Sequence, residues 1–144
     1  MPRKFLVGFD GSESAQRTLD FAIERAKAQG DSILIAHVLE WSPYSFLTQS
    51  ELAERHARRA QELERAKTAV LDPMVEKIRA AGVPVTTVLK YGNIAETLVD
   101  IATEENASMI FIGRTGHSAF ANRFFGSVAG TLAQVAPVPV VIVP

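Results

Sequence analysis

Short apolar runs alternate along this chain with longer stretches in which apolar residues recur every three or four positions. Lys4-Phe5-Leu6-Val7-Gly8-Phe9 reads as a buried strand that ends at Asp10-Gly11-Ser12. Ser12 is suited to cap a helix in which Ala15, Leu19, Ala22, Ile23 and Ala26 share one face. Lys27 falls in its last turn and Gly30 just beyond it. Ser32 to Leu39 is a second strand, and Trp41 to Gln49 (WSPYSFLTQ) an aromatic-rich loop. A long helical stretch then runs to Ala81, with Leu52, His56, Leu63, Val70, Met74 and Ile78 as its inward stripe. Pro73 has no N–H to donate, which predicts a kink or a restart at Asp72-Pro73. Gly82 closes that stretch and Val83 to Leu89 is a third strand. Asn93 and Glu96 have the spacing of a capping box for a helix that buries Ile94, Leu98, Ile101 and Ala102. Met109 to Ile112 and Val138 to Val143 are the remaining strands. Between them Ser127 to Val135 is a short helix, with Val128, Leu132 and Val135 inward, stopped by Pro137.

Regular alternation of apolar strands with helices predicts an α/β domain: a mostly parallel sheet, helices on both faces, right-handed crossovers. Ligands of such sheets bind beyond the carboxyl ends of the strands, where the strand order reverses. Two strand ends carry unusual residues, Asp10-Gly11-Ser12 after the first and Gly113-Arg114-Thr115-Gly116 after the fourth.

Composition narrows the function classes. The 144 residues fit a single domain over 1–144, and 47% apolar residues suffice for a sizeable core. Net charge is -1, and the densest basic cluster, Arg55, Arg58 and Arg59, reads as a solvated helix face, so no nucleic-acid partner is expected. With no cysteine there are no disulfides, thiolate nucleophiles or cysteine-ligated metals, which fits a reducing compartment. The apolar run Phe5 to Phe9 is too short for a signal-peptide core, and no run approaches a membrane span. The expectation is a cytoplasmic protein without membrane insertion.

The chemistry concentrates in Gly113 to Ser127, GRTGHSAFANRFFGS. Glycines admit positive φ and let backbone N–H groups approach a ligand without a Cβ in the way. Gly126-Ser127 opens the last predicted helix, where free N–H groups and the positive dipole end favour an anion and a hydroxyl adds a donor. A strand end, a glycine turn and a helix N-terminus together suit a polyphosphate. The segment resembles the ATP-binding signature of the universal stress protein family, Gly-x2-Gly-x9-Gly-Ser/Thr, at every fixed position. The opening VGFDGSESA and the ending Pro137-Val138-Pro139-Val140-Val141-Ile142-Val143 are similar to that family's first and last strands, so the resemblance covers essentially the whole chain.

That resemblance implies a Rossmann-like fold, an open twisted five-stranded parallel sheet of order 3-2-1-4-5. It implies an adenine nucleotide as ligand, ATP foremost, with or without Mg2+. Asp10, with Gly11 and Ser12, matches the turn beside the ribose, and Val38 the position whose backbone meets the adenine. Gly113, Gly116, Gly126 and Ser127, followed by Val128, match the phosphate-side residues, with Arg114 and His117 inside the same turn. Asp10 with Gly11-Ser12 is equally suited to be a plain turn-former, and Val38 on composition alone is core. His117 has no second ligand at metal spacing, so zinc is not expected. Trp41, Tyr44 and Phe46 suit a lid beside the adenine and, equally, surface packing or a partner contact. The family further implies a homodimer through the strand Val138 to Val143, with Pro139 shortening the pairing, and an unknown client or transporter protein.

Several enzyme classes lack their residues. There is no G-x-x-x-x-G-K-[ST] and no G-x-G-x-x-G after the first strand. Gly8 stands where haloacid-dehalogenase-type phosphatases carry their nucleophile. The third strand ends Leu89-Lys90-Tyr91, without a receiver domain's acceptor Asp, and no Ser-His-Asp set or G-x-S-x-G elbow occurs. Asp10 and His117 are the nearest approach to a general base. The expectation is a nucleotide-dependent regulator with slight or no ATP hydrolysis; the alternatives are a slow Mg-dependent ATPase, with Asp10 on the metal, and a nucleotide-free interaction module.

Overall fold

A computed structural model describes residues 3–40, 49–114 and 127–144. The strands are β1 (Lys4–Gly8), β2 (Ser32–Leu39), β3 (Val85–Tyr91), β4 (Met109–Gly113) and β5 (Val140–Val143). They form one sheet of order β3-β2-β1-β4-β5 in which every neighbouring pair is parallel. The helices are α1 (Glu13–Gln29), α2 (Gln49–Arg65), α3 (Asp72–Ala80), α4 (Ile94–Glu104) and α5 (Ser127–Val135), with a π-helical segment, Ala66–Leu71, joining α2 to α3.

β1 and β2 are near-continuous apolar runs because both of their faces are covered. Phe5, Val7, Phe9, Ile33 and Ile35 point into one layer with α1, Leu71 and Ile78. Leu6, Leu34, Ala36 and Val38 point into the other, with Leu98 and Ile101 of α4 and Leu132 of α5. The chain steps from β1 to β2 to β3 in one direction and then crosses back to β4 and β5. Right-handed crossovers therefore put α1 and α3 on one face and α4 and α5 on the other. An ion pair between Lys77 and Asp20 links α3 to α1.

Helix ends follow the residues expected at them. Ala15 N–H donates to Ser12 Oγ (3.1 Å), and Gly30 closes α1 at φ 73° with its N–H on the Ala26 carbonyl. Glu96 N–H donates to Asn93 Oδ1 (3.0 Å) at the start of α4.

Several expectations change, and one gains detail. Gln49 belongs to α2, not to the loop before it. His56 is exposed; among the described side chains of α2 the half-buried positions are Arg55, Arg59 and Leu63. The restart expected at Asp72-Pro73 is found, and it takes the form of a widened turn: Asp72 N–H reaches the Lys67 carbonyl, five residues back, and α3 begins at Asp72. The proline ring would collide with the carbonyl four residues before it, and the π turn moves that ladder aside. The third strand begins at Val85, because Val83 N–H is still bonded to the Ile78 carbonyl of the helix end (3.3 Å). The last strand begins at Val140: Pro139 lacks a donor and only its carbonyl engages, accepting from Ile110 N–H (2.9 Å). Beyond these strand and helix bounds, Val135 is 58% exposed, its inward place taken by Ala129 and Leu132. Trp41, Tyr44 and Phe46 lie outside the described residues, as does the Leu52 side chain.

Candidate functional site

At the carboxyl rim the strands end at different heights. β1 stops at Gly8, opposite Ala36, whereas β2 continues through His37, Val38 and Leu39, paired with β3 as far as Leu39–Tyr91. On the other side β4 runs on to Gly113, paired with Val143, and Arg114 N–H adds one more bond to the Val143 carbonyl (2.9 Å). The result is a notch above β1 flanked by Val38 and Gly113, at the point where strand order reverses. A Cβ on Gly8 would point into the α4 layer, 2.7 Å from Ile112 Cδ1 and 3.2 Å from Leu98 Cδ1, so those side-chain ends would have to shift to admit one.

Alternation of the ladders fixes where the peptide groups of Val38 point. Ser32 N–H donates to Arg3 O and Phe9 N–H to Ala36 O, so even-numbered residues of β2 bond toward β1. Ile33 N–H donates to Pro84 O and Gly92 N–H to Leu39 O, so odd-numbered ones bond toward β3. The N–H and C=O of Val38 therefore face the notch, while its side chain, 8% exposed, is core against the α4 layer.

The chain leaves β1 through a tight turn. Ser12 N–H donates to Asp10 Oδ1 (2.9 Å), and Gly11 adopts φ 83°, a conformation glycine enters without penalty. Ser12 then caps α1. Asp10 thus serves as a turn-former through its Oδ1. Arg114 is exposed at the end of β4. Gly116, His117 and Gly126 lie outside the described residues, as does the Ser127 side chain. The Ser127 backbone opens α5, and Val128 is half-buried against the α4 layer. Since α5 carries the chain from the end of β4 to the start of β5, its N-terminus belongs to the rim.

Two rim residues went unnoticed in the sequence. His37 is 8% exposed, and its Nδ1 lies 2.6 Å from the Phe9 carbonyl oxygen. A carbonyl only accepts, so Nδ1 carries the proton and donates. The signal for it was a lone histidine in an otherwise apolar strand. Tyr91, closing β3, donates its hydroxyl to Glu62 Oε2 (2.6 Å) under the Arg59 guanidinium, 5.7 Å from the ring centroid. Burial, then the bond to and charge of Glu62, push the phenol up to about 12.

Among the described residues no cluster of three or more His, Asp or Glu has the arrangement of a metal site, and no helix is long and apolar enough to cross a membrane. A groove of about 400 Å³ lies along the outer edge of β3, lined by Asp72, Glu76, Arg79 and Thr86 among others, away from the notch.

The whole chain, residues 1–144, matches the model of the universal stress protein family. A universal stress protein of Thermus aquaticus is 32% identical over 149 residues, covering 99% of each chain. Among solved structures, a universal stress protein in complex with cAMP is 26% identical with a TM-score of 0.71, covering 99% of this chain and 97% of that one. Another, from Archaeoglobus fulgidus in complex with dAMP, is 26% identical with a TM-score of 0.66, covering 99% and 98%. With the sheet order, the strand ends and the full-length match in agreement, the chain belongs to the universal stress protein family.

Proposed function

We propose that this protein binds an adenine nucleotide, with ATP preferred, in the notch above β1, and works as a nucleotide-dependent regulator with slight or no hydrolysis. The observation that carries this reading is the overshoot of β2 and β4 past β1. It leaves a donor and an acceptor of one residue, Val38, side by side in the notch. Adenine presents the complement, a ring nitrogen that accepts beside an amino group that donates; guanine reverses the order at its Watson–Crick edge. The neighbours solved with cAMP and with dAMP support adenine as the base.

In this reading Asp10 receives the ribose hydroxyls beside the Gly11-Ser12 turn. Gly113, Arg114, Gly116, His117, Gly126, Ser127 and Val128 attend the phosphates, and the length of the GRTGHSAFANRFFGS segment favours a triphosphate over AMP. Mg2+, when bound, offsets phosphate charge, with Asp10 the carboxylate at hand. The protein pairs with a second copy through β5, an edge strand whose four residues are all half-buried.

Denaturing the purified protein and chromatographing the released nucleotide tests the reading, followed by calorimetric titration with Mg-ATP and AMP. Release or binding of ATP in near-stoichiometric amount supports it, and Gly116→Val should then weaken ATP at least about tenfold while leaving the fold intact. Neither release nor binding at millimolar ATP would leave a nucleotide-free interaction module. Release of mostly ADP, with turnover lost in Asp10→Ala, would favour the slow ATPase.

A further inference from the structure

His37 does more than fill the core. The β1–β2 ladder has a constant stagger, in which Ser32 N–H meets Arg3 O and Phe9 N–H meets Ala36 O. Its next rung would be Val38 N–H to Phe9 O. That rung is not made: the paired register stops at Gly8–Ala36, and the Phe9 carbonyl takes its 2.6 Å hydrogen bond from His37 Nδ1 instead. The imidazole is buried beneath the rim on the α1 side of the sheet, while Val38, the next residue, turns its side chain to the α4 side. One residue of β2 thus occupies the acceptor that its neighbour would otherwise use.

We infer that His37 is a positioning residue that ends the β1–β2 ladder one rung early, keeping the Val38 N–H free for the base and the Phe9 carbonyl fixed ahead of Asp10. The binding part of this inference rests on the nucleotide reading above; the ladder part stands on the hydrogen bonds alone. The device needs a donor two bonds from Cβ at residue 37, not a charge. Asn places its Nδ2 where the imidazole has Nδ1 and preserves the device; Leu fills similar space and removes the donor.

The ladder part is read by amide hydrogen exchange on the nucleotide-free protein, comparing the wild type with His37→Leu and His37→Asn. The expected result is a Val38 amide that exchanges faster than Ile35 and Ala36 in the wild type and in His37→Asn, and that becomes protected in His37→Leu as the rung closes. A Val38 amide as protected in the wild type as its neighbours in β2 overturns the inference, whatever the protein binds. So does a Val38 amide that stays as fast in a folded His37→Leu as in the wild type.

The binding part is read by titration with ATP, 1-deaza-ATP and 7-deaza-ATP, each analogue lacking one ring acceptor of adenine. In the wild type and in His37→Asn one of the two analogues should bind about tenfold more weakly than ATP, the loss of one hydrogen bond. In His37→Leu that discrimination should collapse to within about twofold. A general loss of stability weakens all three ligands together, so undiminished discrimination in His37→Leu overturns the assignment. If the wild type binds none of the three while the exchange pattern is as expected, the nucleotide reading falls and the ladder device stands.

Discussion

Tyr91 shows how a single rim residue reports on its surroundings. Its phenol is held protonated up to about 12, first by burial and then by Glu62. A folded-state value above the ordinary 10 means that the native state keeps the proton longer than the unfolded chain. The contribution is complete below pH 10 and is lost as pH rises from 10 through 12. The chain has two tyrosines, so a spectroscopic phenolate titration should show a late component near 12, and Glu62→Gln should bring it down. At this scale legibility was uneven. Asp10-Gly11-Ser12 was readable because turn and cap chemistry is local: an acceptor, a residue tolerant of positive φ, and a hydroxyl in consecutive positions. His37 and Tyr91 were not, since their partners, Phe9 and Glu62, are distant in the chain and only the fold brings them near. Val38 was core by composition, and only its resemblance to a known position singled it out. The direction of its peptide groups depends on ladder alternation, which no side chain encodes.

Among the elements, the capped helices came through best. Ser12 and Gly30 bracket α1, and Asn93 opens α4, each by a bond to a backbone group a few residues away. Asn93→Ala should cost about 1 kcal/mol, read as a fall of about 3 °C in thermal midpoint for a domain of this size. A larger loss would mean that Asn93 holds more than the helix start. The α2 to α3 stretch was the least legible. Its buried positions run Ala66, Leu71, Ile78, and the interval of five residues across the π segment breaks the period that a search for spacings of three and four assumes. Pro73 signalled a disturbance without revealing that the ladder widens in place of bending. Strand bounds slipped for a related reason. Val83 and Val138 are apolar enough for strands, but the residues around them are engaged by a helix end and by prolines, and hydrogen bonding decides the boundary.

For the whole molecule, alternation alone predicted the parallel sheet with two covered faces; the order β3-β2-β1-β4-β5 came from family resemblance. Periodicity distinguishes strands from helices but carries no record of which strands are neighbours. The two edges differ in character. β3 shows Thr86, Thr87 and Lys90 to solvent, polar groups that discourage pairing, whereas β5 is Val-Val-Ile-Val. Ile110 N–H donates to Pro139 O and Arg114 N–H to Val143 O, so odd-numbered residues of β5 serve β4 and the peptide groups of Val140 and Ile142 face outward. Val140→Pro removes one outward donor at little change in side-chain volume. If β5 pairs with a second copy, sedimentation should show dimer dissociation strengthened at least about tenfold, with the monomer still folded. An unchanged dimer would place the interface elsewhere.

The early end of β1 has a consequence for how this protein tolerates mutation over time. A ligand in the notch would meet the main-chain groups of Val38 beside whatever side chains line the rim, and main-chain groups are the same under every amino acid except proline. Substitution at Val38 by another apolar residue of similar size leaves that donor and acceptor in place. What has to persist for those two groups is therefore metric rather than chemical: how long each strand is and where each ladder stops. Sequences can drift far apart while such lengths are kept, and a surface built in this way outlasts most of the letters that first encoded it.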